Sequence, residues 1–214
     1  MASTNSSSSP PELFTLTTIL SLLSTLAILG TAYAASLRLL PANAGGKLRG
    51  LYIWHLADAL THFILEGSFL YNCFFTFIDL PIPSADYPHP AALTANTVYF
   101  LNRRDRVYGS DFGTNPFAKL WQEYAKADKR WGGADLGVIS LELLTVFLAG
   151  PIALYISELI RKGAGTKSGG ALTAKLWFWG TILATGELYG GWMTFAPEWL
   201  SGSINLDTSN FMYL

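Results

Sequence analysis

The chain has 214 residues, of which 50% are apolar and only 14% charged, with a formal net charge of −1. A water-soluble domain usually carries about 25% charged residues, and the mean hydropathy here is positive, at +0.31. These values argue against a simple soluble domain and give no reason to expect a nucleic-acid partner, and the single cysteine, Cys73, has no partner for an internal disulfide.

In chain order, residues 1–12 form a polar, Ser-rich tail, expected to be disordered, and residues 13–214 form one membrane domain. Four stretches are long enough to cross a bilayer as helices: Leu13–Ala35, Leu51–Ile78, Leu136–Ile160 and Leu176–Trp199. The first carries no charge and reads as a span that is kept, since no basic segment precedes it and no cleavage site follows. The expected fold is therefore all-α, a polytopic membrane helix bundle of four transmembrane helices with a long loop between the second and third. The short basic connections (Arg38, Lys47, Arg49; Arg161, Lys162, Lys167, Lys175) put those loops in the cytoplasm and the N-terminus on the lumenal side. Within the long loop, residues 79–114 read as irregular. Residues 115–130 have helical spacing, with Phe117, Leu120, Trp121 and Tyr124 on one face, suited to a membrane surface. Pro151 is expected to kink the third span, and residues 163–170 form a Gly-rich linker.

The informative residues are the ionisable ones inside these spans, where charge is expensive and tends to serve a function. Asp58, His62 and Glu66 recur every four residues and stack along one helix face, with His55 at its edge. A carboxylate–imidazole–carboxylate stripe is suited to holding and releasing a proton. Glu142 and Thr145 share a face of the third span. In the fourth, Glu187 and Tyr189 lie among Gly186, Gly190 and Gly191, small residues that either let helices approach or leave room for a ligand. The competing reading is that these polar groups tie helices together. No HExxH or His-rich cluster is present, so no metal is expected, and no cofactor-binding fingerprint occurs.

Several motifs converge on one family. Thr61-His62-Phe63-Ile64-Leu65-Glu66-Gly67 matches an HxxxEG motif, and residues 120–130, LWQEYAKADKR, resemble an LWKEYAKGDSRY stretch. Glu142 and Thr145 fall where an ExxT stands, Gly150-Pro151 where a GP stands, and Gly186-Glu187-Leu188-Tyr189-Gly190 resembles GQ(I/L)YG. From about Leu51 onward the sequence thus resembles the emopamil-binding protein family, sterol isomerases of the EXPERA domain class. The resemblance implies a cofactor-free isomerase of the endoplasmic reticulum membrane that moves a sterol ring double bond from position 8 to position 7, in sterol biosynthesis. It implies catalytic roles for His62, Glu66, Glu142 and Thr145; Asp58, Tyr124, Glu187, Tyr189 and Trp192 are the candidate substrate contacts. It implies a sterol or related terpenoid as partner, within the lipid bilayer, and leaves a homodimer open. The alternative is a non-catalytic membrane protein that binds sterols or cationic amphiphiles. Three departures stand out. Ser68 replaces a bulky aromatic, the long loop is longer than usual, and the sequence ends at Leu214. A fifth span supplying an Asn and a Trp follows at that point in the family. Trp54 and Trp192 are the candidates here for a cation-facing indole.

Overall fold

The computed structural model describes residues 15–80, 100–164 and 170–207, with the side chains of the last segment described from residue 173. The expected disordered tail, residues 81–99 of the long loop, 165–169 of the Gly-rich linker and the segment after Asp207 lie outside the described residues.

The described chain is mostly helical. Helix α1 (Leu16–Leu39) is capped by Thr15, whose hydroxyl accepts from the Thr18 amide. Helix α2 (Gly46–Leu60) runs through a π turn (Thr61–Glu66) into α3 (Gly67–Phe75), making one rod. Helix α4 (Pro116–Ala125) starts at an Asn-Pro signal: the Asn115 side chain accepts from the Ala118 amide, and Pro116 takes a first-turn position where no amide is needed. The third rod is α5 (Leu136–Leu144), capped by Asp135, then a second π turn (Thr145–Ala149) and α6 (Gly150–Gly163). Helix α7 (Gly170–Ser201) closes the bundle.

Two of the four expected spans, Leu16–Leu39 and Leu136–Gly163, are long and apolar enough to cross a membrane. Helix α7, with 32 residues, is long enough at about 48 Å but carries Lys175, Glu187 and Glu198. The second rod is interrupted by its ionisable stripe.

One expectation is corrected: the second rod ends at Phe75 rather than Ile78, and β1 (Phe77–Asp79) pairs antiparallel with β2 (Arg106–Tyr108), which lies in the stretch read as irregular. This hairpin is held by Arg106, which pairs with Asp79 at 2.7 Å and lies 4.1 Å over the Phe77 ring. Gly109, at φ +135°, closes it against Gly132 and Gly133, so close that a Cβ there would overlap their backbone. Helix α4 leaves two residues of the face expected at a membrane surface exposed. Ala118, Trp121 and Glu123 are buried, whereas Phe117 and Tyr124 are exposed. Glu123 accepts a 2.6 Å bond from the Thr18 hydroxyl, fastening α4 to α1. Pro151 lies within the third rod as expected, in the first turn of α6 just past the second π turn. The wider turn is where the amide that proline lacks and the carbonyl it would strike are accommodated.

Two apolar clusters form the core. One joins Phe69, Leu70, Cys73, Trp121, Val138 and Ile139; the other joins Tyr52, Ala59, Ala153, Ile156, Ile160 and Leu183. Along the second rod, His62 and Glu66 fall between Ala59 of one cluster and Phe69 of the other.

Candidate active site

The two π turns face each other: His62 and Glu66 sit on the first, Thr145 opens the second, and Glu142 lies in α5 just before it. π turns shift the register of a helix face and concentrate at functional sites. Gly150 permits their approach: a Cβ there would lie 3.0 Å from the Phe63 ring and 3.2 Å from the His62 Cβ. Gly150→Leu is therefore expected to push the rods apart, costing about 1–3 kcal/mol of stability by overpacking and about 10-fold or more in any activity that needs their contact. Thermal unfolding and turnover in the same membranes check both.

The four residues expected to be catalytic form one hydrogen-bonded chain across the two rods. The His62 Nδ1 and Glu66 Oε2 are 2.6 Å apart. The Thr145 hydroxyl lies 2.5 Å from the same Glu66 oxygen, 3.1 Å from the Glu142 carbonyl oxygen and 3.2 Å from Glu142 Oε2. One hydroxyl proton thus serves several acceptors, two of them carboxylates on different helices. On the other side of the ring, His62 Nε2 has Asp58 Oδ1 at 3.5 Å and Glu187 Oε1 at 3.3 Å. Neither contact is aligned as a hydrogen bond.

Two cavities meet at Glu66. The larger, about 400 Å³, lies between the third rod and α7; Glu66, Glu142, Thr145, Glu187 and Tyr189 line it. Gly186, Gly190 and Gly191 have nothing within 4 Å of where a Cβ would project, so of the two readings of these glycines the one realised is open space. The second cavity, about 330 Å³, lies between α1, the second rod and α4. Its wall is aromatic: Trp121 stacks on Trp131 with centroids 5.0 Å apart, and Tyr124 meets Trp131 edge-on at 5.4 Å. Ser68 supports this wall from outside the cavity: its hydroxyl accepts the Trp121 indole N–H at 2.9 Å. A small hydroxyl residue at that position is thereby matched to the indole. The Tyr124 phenol is pushed up from its ordinary value, first by burial and then by the Asp128 carboxylate, so it is a neutral donor at neutral pH.

Among the expected substrate contacts, Asp58 and Glu187 reach the His62 ring, Tyr189 lines the larger cavity and Tyr124 the smaller. Trp192 does not join them: it is 61% exposed and packs edge-on against Trp199. Five residues separate it from Glu187, which turns it to another face of α7. Trp54 and His55 are also elsewhere, together lining a hollow beside Trp177. The indoles next to Glu66 are Trp121 and Trp131. The sequence marked Trp121 only as a helix-face residue, and Trp131 follows a turn where periodicity carries no signal.

The site is thus an ionisable chain on the contact face of two helices, with an apolar cavity on each side. Residues 116–214 match the family model EBP: EXPERA (EXPanded EBP superfamily). It is 26% identical over 163 residues to a "Probable 3-beta-hydroxysteroid-Delta(8),Delta(7)-isomerase" of Arabidopsis thaliana, covering 76% of this chain and 54% of that protein. A protein of the same description from Oryza sativa subsp. japonica is 26% identical over 165 residues, 77% of this chain and 56% of the relative. A protoglabretal synthase of Ailanthus altissima is 36% identical over 53 residues, 25% of this chain and 24% of that protein. The chain spans about half the length of the two isomerase-described relatives.

Proposed function

We propose that the chain is a cofactor-free isomerase that moves a carbon–carbon double bond within a sterol or a related terpenoid, from position 8 to position 7 in the sterol case. The observation that carries this reading is the hydrogen-bonded chain His62–Glu66–Thr145–Glu142 beside an apolar cavity. A carboxyl of this chain delivers a proton to one alkene carbon, and the neighbouring carbon becomes a cation. A base of the same chain then removes a proton from the carbon on the far side, and the double bond reforms one position along. One proton is gained and one lost, so no oxidant or reductant is consumed. Proton relay through the Thr145 hydroxyl and the His62 ring returns the carboxyls to their starting state. Carboxylates and the π faces of Trp121, Trp131 and Tyr124 stabilise the cation, and apolar walls keep water from capturing it.

Asp58 and Glu187 would orient the His62 ring, and Tyr189 would contact the substrate. In this reading all four rods cross the bilayer, in the endoplasmic reticulum. Conversion of an 8-unsaturated sterol in membranes carrying the chain is the test. His62→Ala and Glu142→Gln should each lose about 100-fold or more, the range of general acid–base catalysis. Turnover equal to that of the unmodified chain in both variants sinks the assignment.

A second reading is favoured by the acidic lining itself, three glutamates on one apolar cavity. Such a cavity attracts an ammonium group as it would a carbocation, and the chain would then be a binding protein for cationic amphiphiles. Saturable amphiphile binding lost in Glu66→Gln, with no sterol turnover by the unmodified chain, distinguishes it.

A further inference from the structure

We propose that Asp58, His62 and Glu187 form a binding site for a zinc-class divalent cation. The three ligand atoms, Asp58 Oδ1, His62 Nε2 and Glu187 Oε1, lie within 4.8 Å of one another. The His62 side chain is only 4% exposed, and its Nε2 points at the two carboxylates without a hydrogen-bond partner. The other ring nitrogen is engaged by Glu66 at 2.6 Å. If Glu66 accepts from an Nδ1–H, the Nε2 lone pair is left facing two carboxylate oxygens, an arrangement that repels unless a proton or a metal cation sits between them. A proton on Nε2 would find no aligned acceptor, whereas a metal ion needs only the three lone pairs to converge.

The two distances from His62 suit zinc. Bonds of about 2 Å at tetrahedral angles place ligand atoms about 3.4 Å apart, and the His62 nitrogen stands 3.5 Å from Asp58 and 3.3 Å from Glu187. One imidazole and two carboxylates supply three protein ligands and leave a fourth position open, the pattern of sites that keep an exchangeable ligand. Glu66 behind the ring is the carboxylate partner that metal-ligating histidines generally have. Asp58 and His62 share one helix face, but Glu187 comes from α7, so the third ligand joins them only by packing. Glu187 is 40% exposed and lines the larger cavity, which gives the ion a path to the site.

Occupancy would hold His62 at the nitrogen opposite Glu66 and take the ring out of any proton relay. The binding claim stands on geometry alone; the inhibition rests on the proposed isomerase activity. Equilibrium dialysis of the full chain in nanodiscs against Zn2+ tests binding without turnover. The expected result is one ion per chain at micromolar concentration, weakened at least about 10-fold in Glu187→Gln and in Asp58→Asn, and unchanged in Glu158→Gln, a surface acid paired with Arg161. Absence of binding at 100-fold higher Zn2+, or equal binding in Glu187→Gln and Asp58→Asn, overturns the site. Sterol turnover measured in parallel should fall on adding Zn2+ and return with a chelator, and the ratio should be insensitive to Zn2+ in Glu187→Gln. Loss of the metal effect with turnover intact removes the inhibition alone, whereas binding with no turnover in metal-free buffer removes the isomerase reading and leaves the metal site.

Discussion

Glu66→Gln is expected to reduce sterol turnover by about 100- to 10,000-fold, the range spanned by general acid–base groups, with little change in stability. Glu66 is the junction of the site. One of its oxygens meets His62 Nδ1 at 2.6 Å and the Thr145 hydroxyl at 2.5 Å, and the residue lines both cavities. Glutamine keeps the volume and can keep one of these bonds, but it neither takes up nor releases a proton. The effect should therefore fall on kcat, with KM nearly unchanged, because the amide still fills the same space. Turnover of an 8-unsaturated sterol across a substrate series separates the two. A variant that loses only affinity would mean that Glu66 holds the substrate and transfers nothing.

The largest stability effect is expected at Arg130. Its guanidinium meets Asp128 through Nε and Nη2, at 3.0 and 2.6 Å, donates to the Thr194 carbonyl at 2.9 Å and lies 3.6 Å from Glu198. Asp128 and Glu198 are 2% and 4% exposed, so Arg130→Ala strands two buried carboxylates. Removing one partner of a buried ion pair costs roughly 3–5 kcal/mol. The same arginine joins the loop after α4 to α7, a junction completed by the Lys129 amide bonded to the Asn205 carbonyl at 3.1 Å and by Asn205 bonded to Glu198 at 2.7 Å. Since Thr194 lines the larger cavity, activity should fall along with stability. Thermal unfolding in detergent reads the first; a transition temperature equal to that of the unmodified chain would show that water, not Arg130, satisfies the carboxylates.

What could be read from the sequence follows the reach of helical periodicity. The 58–62–66 stripe was legible because all three residues belong to one rod, and the Glu142–Thr145 pair for the same reason. Periodicity reports which side chains share a face of one helix, but not which face of another helix meets it. The 3.3 Å approach of Glu187 to His62, the Thr18–Glu123 bond and the Arg130–Glu198 contact therefore appear only in three dimensions. The π turns were equally out of sight: Thr61–Glu66 and Thr145–Ala149 have no composition distinct from the helices around them. Trp192 was a candidate only as an available cation-facing indole, and a separation of five residues from Glu187 turns it to another face of α7. The hairpin was missed because each strand is three residues long, too short for alternation to show.

The account rests on a proton taken from the relay and another returned to it. The most direct measurement is conversion of an 8-unsaturated sterol by the full chain in membranes equilibrated with heavy water and supplied with no cofactor. Relay through the exchangeable His62–Glu66–Thr145–Glu142 chain predicts a 7-unsaturated product carrying deuterium at the newly saturated carbon. Product formed without deuterium, or no conversion at all, would contradict it.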